Sequence, residues 1–163
     1  MLSVAAIALL VALLYSDLHQ RRLPNRLVAV YAVLCPIALL ASGAAPATWL
    51  QHGVVALAAF VFFLALFALG GMGGGDVKMG TAVLAWAGVQ TLSESLLLIA
   101  MSGLVLALLG LAADRLSGLR GSARKSPAAN LWRKALHALS AKRGVPYGVA
   151  LAMGGMAALP LYW

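Results

Sequence analysis

The sequence predicts an all-α fold: a polytopic membrane protein with about six transmembrane helices and one amphipathic cytoplasmic helix. Three observations carry that expectation. Of 163 residues, 63% are hydrophobic and only 10% charged, and the mean hydropathy is +0.97. A soluble domain carries roughly 25% charged residues. The apolar residues gather into runs approaching the ~20 residues that a helix needs to cross a bilayer. All twelve Lys and Arg residues fall between those runs, and only in alternate gaps. The chain is long enough for one compact membrane domain, spanning 1–163.

The net charge of +8 would by itself point to nucleic acid. Its confinement to loops explains it better as membrane topology, and no nucleic-acid partner is expected. The one cysteine, Cys35, lies inside an apolar run, so neither a disulfide framework nor a cysteine metal site can form within the chain. His19, His52 and His137 lack ligand spacing, so no metal and no cofactor are expected.

Residues 1–16 are almost wholly apolar and lack the positive n-region of a secretory signal. They predict a retained first span ending near Asp17. A polar loop follows, with Arg21, Arg22 and Arg26, in which Pro24 and Asn25 mark a turn. Further spans are expected at 27–42, 54–69, about 77–89 with Lys78 counted in the loop at its edge, 96–113 and 145–161. The second loop, 43–53, is uncharged and contains Pro46; 90–95 is a short polar link. Between 114 and 144 lies the one sizeable hydrophilic segment. Within it Ala128, Leu131, Trp132, Ala135, Leu136 and Leu139 recur as one face of a helix. Arg133, Lys134 and His137 take the other face, so this helix should lie on anionic lipid headgroups.

The basic residues of the first, third and fifth loops make up the whole cationic complement. The positive-inside rule therefore puts those loops in the cytoplasm and both termini outside.

The chain is organised around residues 70–80. Five glycines in six positions, Gly70 to Gly75, precede Asp76, with Lys78 two residues on. A glycine turn with Asp76 as N-cap is the plain reading of such a stretch. A second carboxylate changes that reading. Asp17 and Asp76 are separated by two crossings, so both return to the cytoplasmic edge. Two carboxyls within reach share one proton, which suits a pair that activates water with one member and protonates a leaving amine with the other. A helix N-terminus favours an anion and a C-terminus disfavours it. That makes Asp76 the ionised base and Asp17 the protonated acid. Glu94 falls on the opposite side, and Asp114 ends the fifth span beside Arg115; both read as solvated caps. Lys78 either snorkels to the headgroups or tunes the acid pair. A different class stays open on these residues: a proton-coupled transporter or an assembly subunit of a secretion machine, although a transporter places its ionisable groups near the midplane.

Gly73-Gly74-Gly75-Asp76 resembles the GxGD signature of intramembrane aspartyl proteases, and with Val77-Lys78-Met79 it is similar to the form in bacterial prepilin peptidases. Asp17 followed by Arg22-Leu23-Pro24-Asn25-Arg26-Leu27 resembles that family's first aspartate and the segment after it. Val145-Pro146-Tyr147-Gly148 looks like its C-terminal Pro-aromatic-Gly segment. The resemblance implies a single membrane peptidase domain in the bacterial inner membrane, with its active site facing the cytoplasm. Asp17 and Asp76 would be the catalytic pair; Gly73, Gly75, Lys78, Asn25 and Pro146 would shape the site. It also implies the substrates, prepilins and pseudopilins with a short basic leader. Many such enzymes carry a methyltransferase domain with a zinc-binding cysteine quartet. With one cysteine, this chain is instead similar to the compact peptidases of tight-adherence (Flp-type) pilus systems, without methylation. The topology can be checked by cysteine labelling from outside the cell. Positions in 44–48 are expected to react and positions in 120–126 to stay protected; the reverse pattern would contradict it.

Overall fold

The computed structural model describes residues 2–20, 22–119 and 147–159. Among these the regular structure is all helix, with no strand. The elements are α1 (Leu2–Gln20), α2 (Asn25–Ala41), α3 (Pro46–Ala68), α4 (Gly74–Ala87), α5 (Leu92–Leu119) and α6 (Tyr147–Ala158). α1, α3 and the Leu92–Ala112 part of α5 are long and apolar enough to cross a membrane; α2 and α6 are shorter apolar helices. The amphipathic helix expected within 114–144 and the span start at 145–146 lie outside the described residues.

The outer surface is what a bilayer requires. Leu69 is 83% exposed, Leu40 74%, and large apolar side chains cover the outside of every long helix. In water such a surface would be an aggregation patch. In lipid it costs little, because the acyl chains are themselves apolar and helices satisfy most of their own backbone groups. The protein is therefore a membrane protein.

Between helices in lipid the hydrophobic effect gives little, so close van der Waals contact has to hold them together. α1, α2, α4 and α6 form the central bundle, each packed on its neighbours, and α3 and α5 lean on α4 and α6 from outside. Tyr31, Leu10, Leu13, Met79, Leu151 and Val83 are fully buried in it. Small residues set the approach. A Cβ on Gly80 would lie 2.6 Å from the Phe63 ring, and one on Gly154 would collide with Ile99 and come within 2.9 Å of the Ser95 carbonyl. Replacing a helical glycine by alanine gains about 0.5–1 kcal/mol in propensity, but overpacking costs about 1–3 kcal/mol. At Gly154 a backbone atom blocks the way, so overpacking wins.

α4 is only 14 residues long, about 21 Å, and its carbonyl end needs partners. His52 supplies one: its Nδ1–H donates to the Ala85 carbonyl at 2.7 Å, and the Cys35 thiol points at the same oxygen. Trp86 Nε1 donates to the Tyr31 carbonyl at 3.0 Å, tying α4 to α2. Gly88 then turns the chain with φ +55, where a side chain would be strained and would also meet the His52 ring.

Several expected boundaries shift. α3 begins at Pro46 rather than 54, because proline is pre-organised for the first helical position. Gln51 and His52, read as loop from their polarity, are helical residues that face α4 and Gln90. α5 likewise takes in most of the polar link at 90–95, starting at Leu92. α1 runs on to Gln20, which carries Asp17 inside its last turns.

Candidate active site

Asp76 is the third residue of α4, not its N-cap. Gly73 holds the N-cap position with extended backbone (φ −80, ψ 148). The Asp76 backbone N–H donates to the Gly73 carbonyl at 3.0 Å, and the nearby Gly73 N–H favours the ionised form of its carboxylate. Glycine has no side chain to complete a capping box, so the acid at the third helical position is the one side chain serving this helix start. A Cβ at Gly73 would lie 3.0 Å from Asp76 Oδ2, so the missing side chain gives the carboxylate its room. Gly75, one residue before Asp76, packs beside Leu23: a Cβ there would sit 3.5 Å from the leucine Cβ.

Asp17 is 6% exposed, next to the buried Ser16. The Ser16 hydroxyl donates to the Arg22 carbonyl at 2.9 Å and folds the chain over after α1. That fold-over carries Leu23 to Gly75 and puts Pro24 at the start of α2. Asp17 rests against α6. A Cβ on Gly148 would come within 2.7 Å of both Cγ and Oδ2 of Asp17. Since α6 packs on both α1 and α4, it bridges the two carboxylate-bearing helices.

Asp76 stands at the polar end of α4, ahead of the apolar run that begins at Val77. Burial pushes its carboxyl up to about 6, the charge of Asp17 adds to the rise, and the Gly73 N–H opposes it. The two carboxyls are therefore close enough to sense each other's charge. Such a pair can hold one proton between its members and offer both a base and an acid.

The other expected site residues divide. Lys78 Nζ donates to Asn25 Oδ1 at 3.2 Å, linking the first turns of α4 and α2 beside the carboxylates. Lys78 is exposed, and the groups that shift Asp76 are burial, Asp17 and Gly73. Pro146 lies outside the described residues. Glu94 is in the first turn of α5, exposed. Among the described residues no three His, Cys, Asp or Glu side chains gather as a metal site.

The sequence expectation names Pro146 of the Val145-Pro146-Tyr147-Gly148 segment but not Gly148, which packs against Asp17. It does not name Leu23 either, although Leu23 lies in the same segment as Asn25 and packs beside Gly75.

Comparison with known proteins is decided by one match. The model of the type IV leader peptidase family fits residues 4–111. The chain belongs to the type IV leader peptidase family. The matched stretch contains Asp17, the Arg22–Leu27 segment and the glycine run through Asp76, and stops before α6. No curated protein and no solved structure matches the chain. Membership makes the protein a peptidase and sets aside the transporter and assembly-subunit readings; prepilins are the family's substrates in general.

Gly148→Ala is expected to displace the Asp17 carboxyl. A misplacement of about 1 Å at a reacting group costs on the order of 100-fold in rate. Prepilin cleavage by this variant should fall to that extent while its thermal unfolding in detergent changes little. Gly53→Ala, where a Cβ meets nothing within 4 Å, should leave cleavage unaltered. Equal activity in the two variants would show that Gly148 does not seat the aspartate.

Proposed function

We propose that the protein is an aspartyl prepilin peptidase that removes the short basic leader from Flp-like type IV prepilins and pseudopilins at the cytoplasmic face of the bacterial inner membrane, with Asp17 and Asp76 as the catalytic pair. The observation that carries this reading is the half-buried Asp76 carboxyl, raised by burial and by the charge of Asp17. An isolated N-terminal cap would be pulled the other way by the helix dipole.

In the reaction, water is held between the two carboxyls. The ionised member takes a proton from water as its oxygen attacks the scissile carbonyl carbon. The protonated member gives its proton to the amide nitrogen as the C–N bond breaks. The products are the leader's new carboxyl end and the mature pilin's new amine, and the pair is left with one proton, as it began. The helix ends alone favour Asp76 as the base and Asp17 as the acid, but the rise of Asp76 under the charge of Asp17 describes the opposite state, with Asp17 ionised and Asp76 holding the proton. The pair titrates as a unit, so the two roles belong to the pair as much as to either residue. The Asn25–Lys78 bond holds α2 against α4 beside the pair, and the glycine run lets an extended substrate backbone approach. A negatively charged pair also offers a basic leader its complement.

Asp17→Asn and Asp76→Asn should each all but abolish prepilin cleavage, with losses of about 10²–10⁴-fold, while membrane insertion and folding persist. Asparagine keeps the size of the carboxyl but neither takes water's proton nor supplies one. Residues that act as a unit are non-additive, so the double variant should be no worse than either single one. Glu94→Gln should retain activity. Asp76→Asn protein that still processed prepilin at near-normal rate would refute the mechanism.

A further inference from the structure

The end of the bundle that carries the aspartates also opens an apolar cleft toward the bilayer. α3 packs chiefly on α4, and α5 chiefly on α6. The two outer helices therefore stand apart, with a cleft of about 390 Å³ between them. Phe63 and Leu66 of α3 form one wall, Ala100, Gly103 and Ala107 of α5 the other, and Ala150 of α6 the floor. Among the described residues no charged one lines it.

Two further lining residues, Met72 and Tyr147, tie the cleft to the carboxylates. Met72 immediately precedes Gly73, which accommodates the Asp76 carboxylate, and Tyr147 immediately precedes Gly148, which packs on Asp17. Neither aspartate lines the cleft, but its Met72 and Tyr147 are chain neighbours of the two glycines that lie against the carboxyls. Residues 100, 103 and 107 are spaced i, i+3, i+7, one face of α5. Their small side chains leave room for another helix backbone to come close, which is how helices associate in lipid.

We propose that this cleft holds the apolar segment of the prepilin that follows the scissile bond, entering sideways from the bilayer as a helix. The proposal rests on the peptidase reading above. A bond held between the two carboxyls has its leader in the polar region and its downstream chain in the membrane. The downstream chain then has to leave past Met72 and Tyr147, into a cleft whose described lining is otherwise apolar. Lipid acyl chains are the competing occupant, but they have no reason to start at a pair of carboxyls.

Photo-crosslinking tests this without requiring turnover. A photoreactive residue in place of Leu104, which lines the cleft and is exposed, is introduced into the Asp76→Asn protein in lipid nanodiscs with full-length prepilin. The expected product is an adduct to the prepilin's apolar segment, reduced about ten-fold by Ala100→Trp, a loss typical of overpacking. The same probe at Val105, on the opposite face of α5, should label lipid. Adducts to lipid alone at position 104 would overturn the proposal. A second arm uses Ala107→Leu with active aspartates. Its KM for full-length prepilin should rise about ten-fold more than its KM for a peptide truncated shortly after the cleavage site. An equal change for both substrates would overturn it. Cleavage by the Asp76→Asn protein would defeat the catalytic assignment instead, and the crosslink pattern would still decide the cleft.

Discussion

Two carboxyls have to be kept together within a membrane protein, and most of this structure follows from how that is done. A lone ionised carboxylate in or near hydrocarbon is expensive and survives only with partners. Asp76 finds one in its own helix start: Gly73 caps α4 and offers its N–H to the carboxylate, in a space that any side chain at 73 would narrow. Asp17 has no such helix start, since it lies in the last turns of α1. It is enclosed instead, by the Ser16–Arg22 fold-over and by Gly148 of α6. The mutual effect of the two acids is the consequence of bringing these different seats to one place.

The seats hold only if the bundle is rigid, and in lipid rigidity has to come from close packing and from hydrogen bonds at helix ends. α4 is the central element. Phe63 lies over Gly80, Trp86 reaches back to Tyr31, and His52 and Cys35 meet the Ala85 carbonyl. A helix of about 21 Å cannot span a hydrocarbon core of about 30 Å unaided. Its ends accordingly lie where side chains and glycine turns can satisfy the backbone. The carbonyl end is met by a histidine of α3, and the amide end by its own aspartate.

Much of this was legible in the sequence. Hydrophobic runs separated by short polar segments gave the all-helical membrane class. Glycine clustering beside Asp76, with Asp17 two crossings away, marked the place where the structure brings two carboxyls together. The Asn25–Lys78 contact joined two residues singled out separately. What remained hidden depended on tertiary contact. The polar residues at 51–52 read as loop, because a histidine that serves another helix's carbonyl looks the same in sequence as one facing water. Gly148 was overshadowed by the proline two residues before it. A glycine needed for space, rather than for a turn, has no local signature; only the position of Asp17 across the bundle gives it meaning.

The central claim, that the two carboxyls form one coupled site, is tested most directly by titrating Asp76 by NMR with ¹³C-labelled aspartate in detergent. In the wild-type protein Asp76 should titrate at about 6. In Asp17→Asn protein, where the second charge is gone but the burial is not, it should titrate lower while staying above the ordinary aspartate range near 3.9. An Asp76 titration that does not move when Asp17 is neutralised would contradict the account.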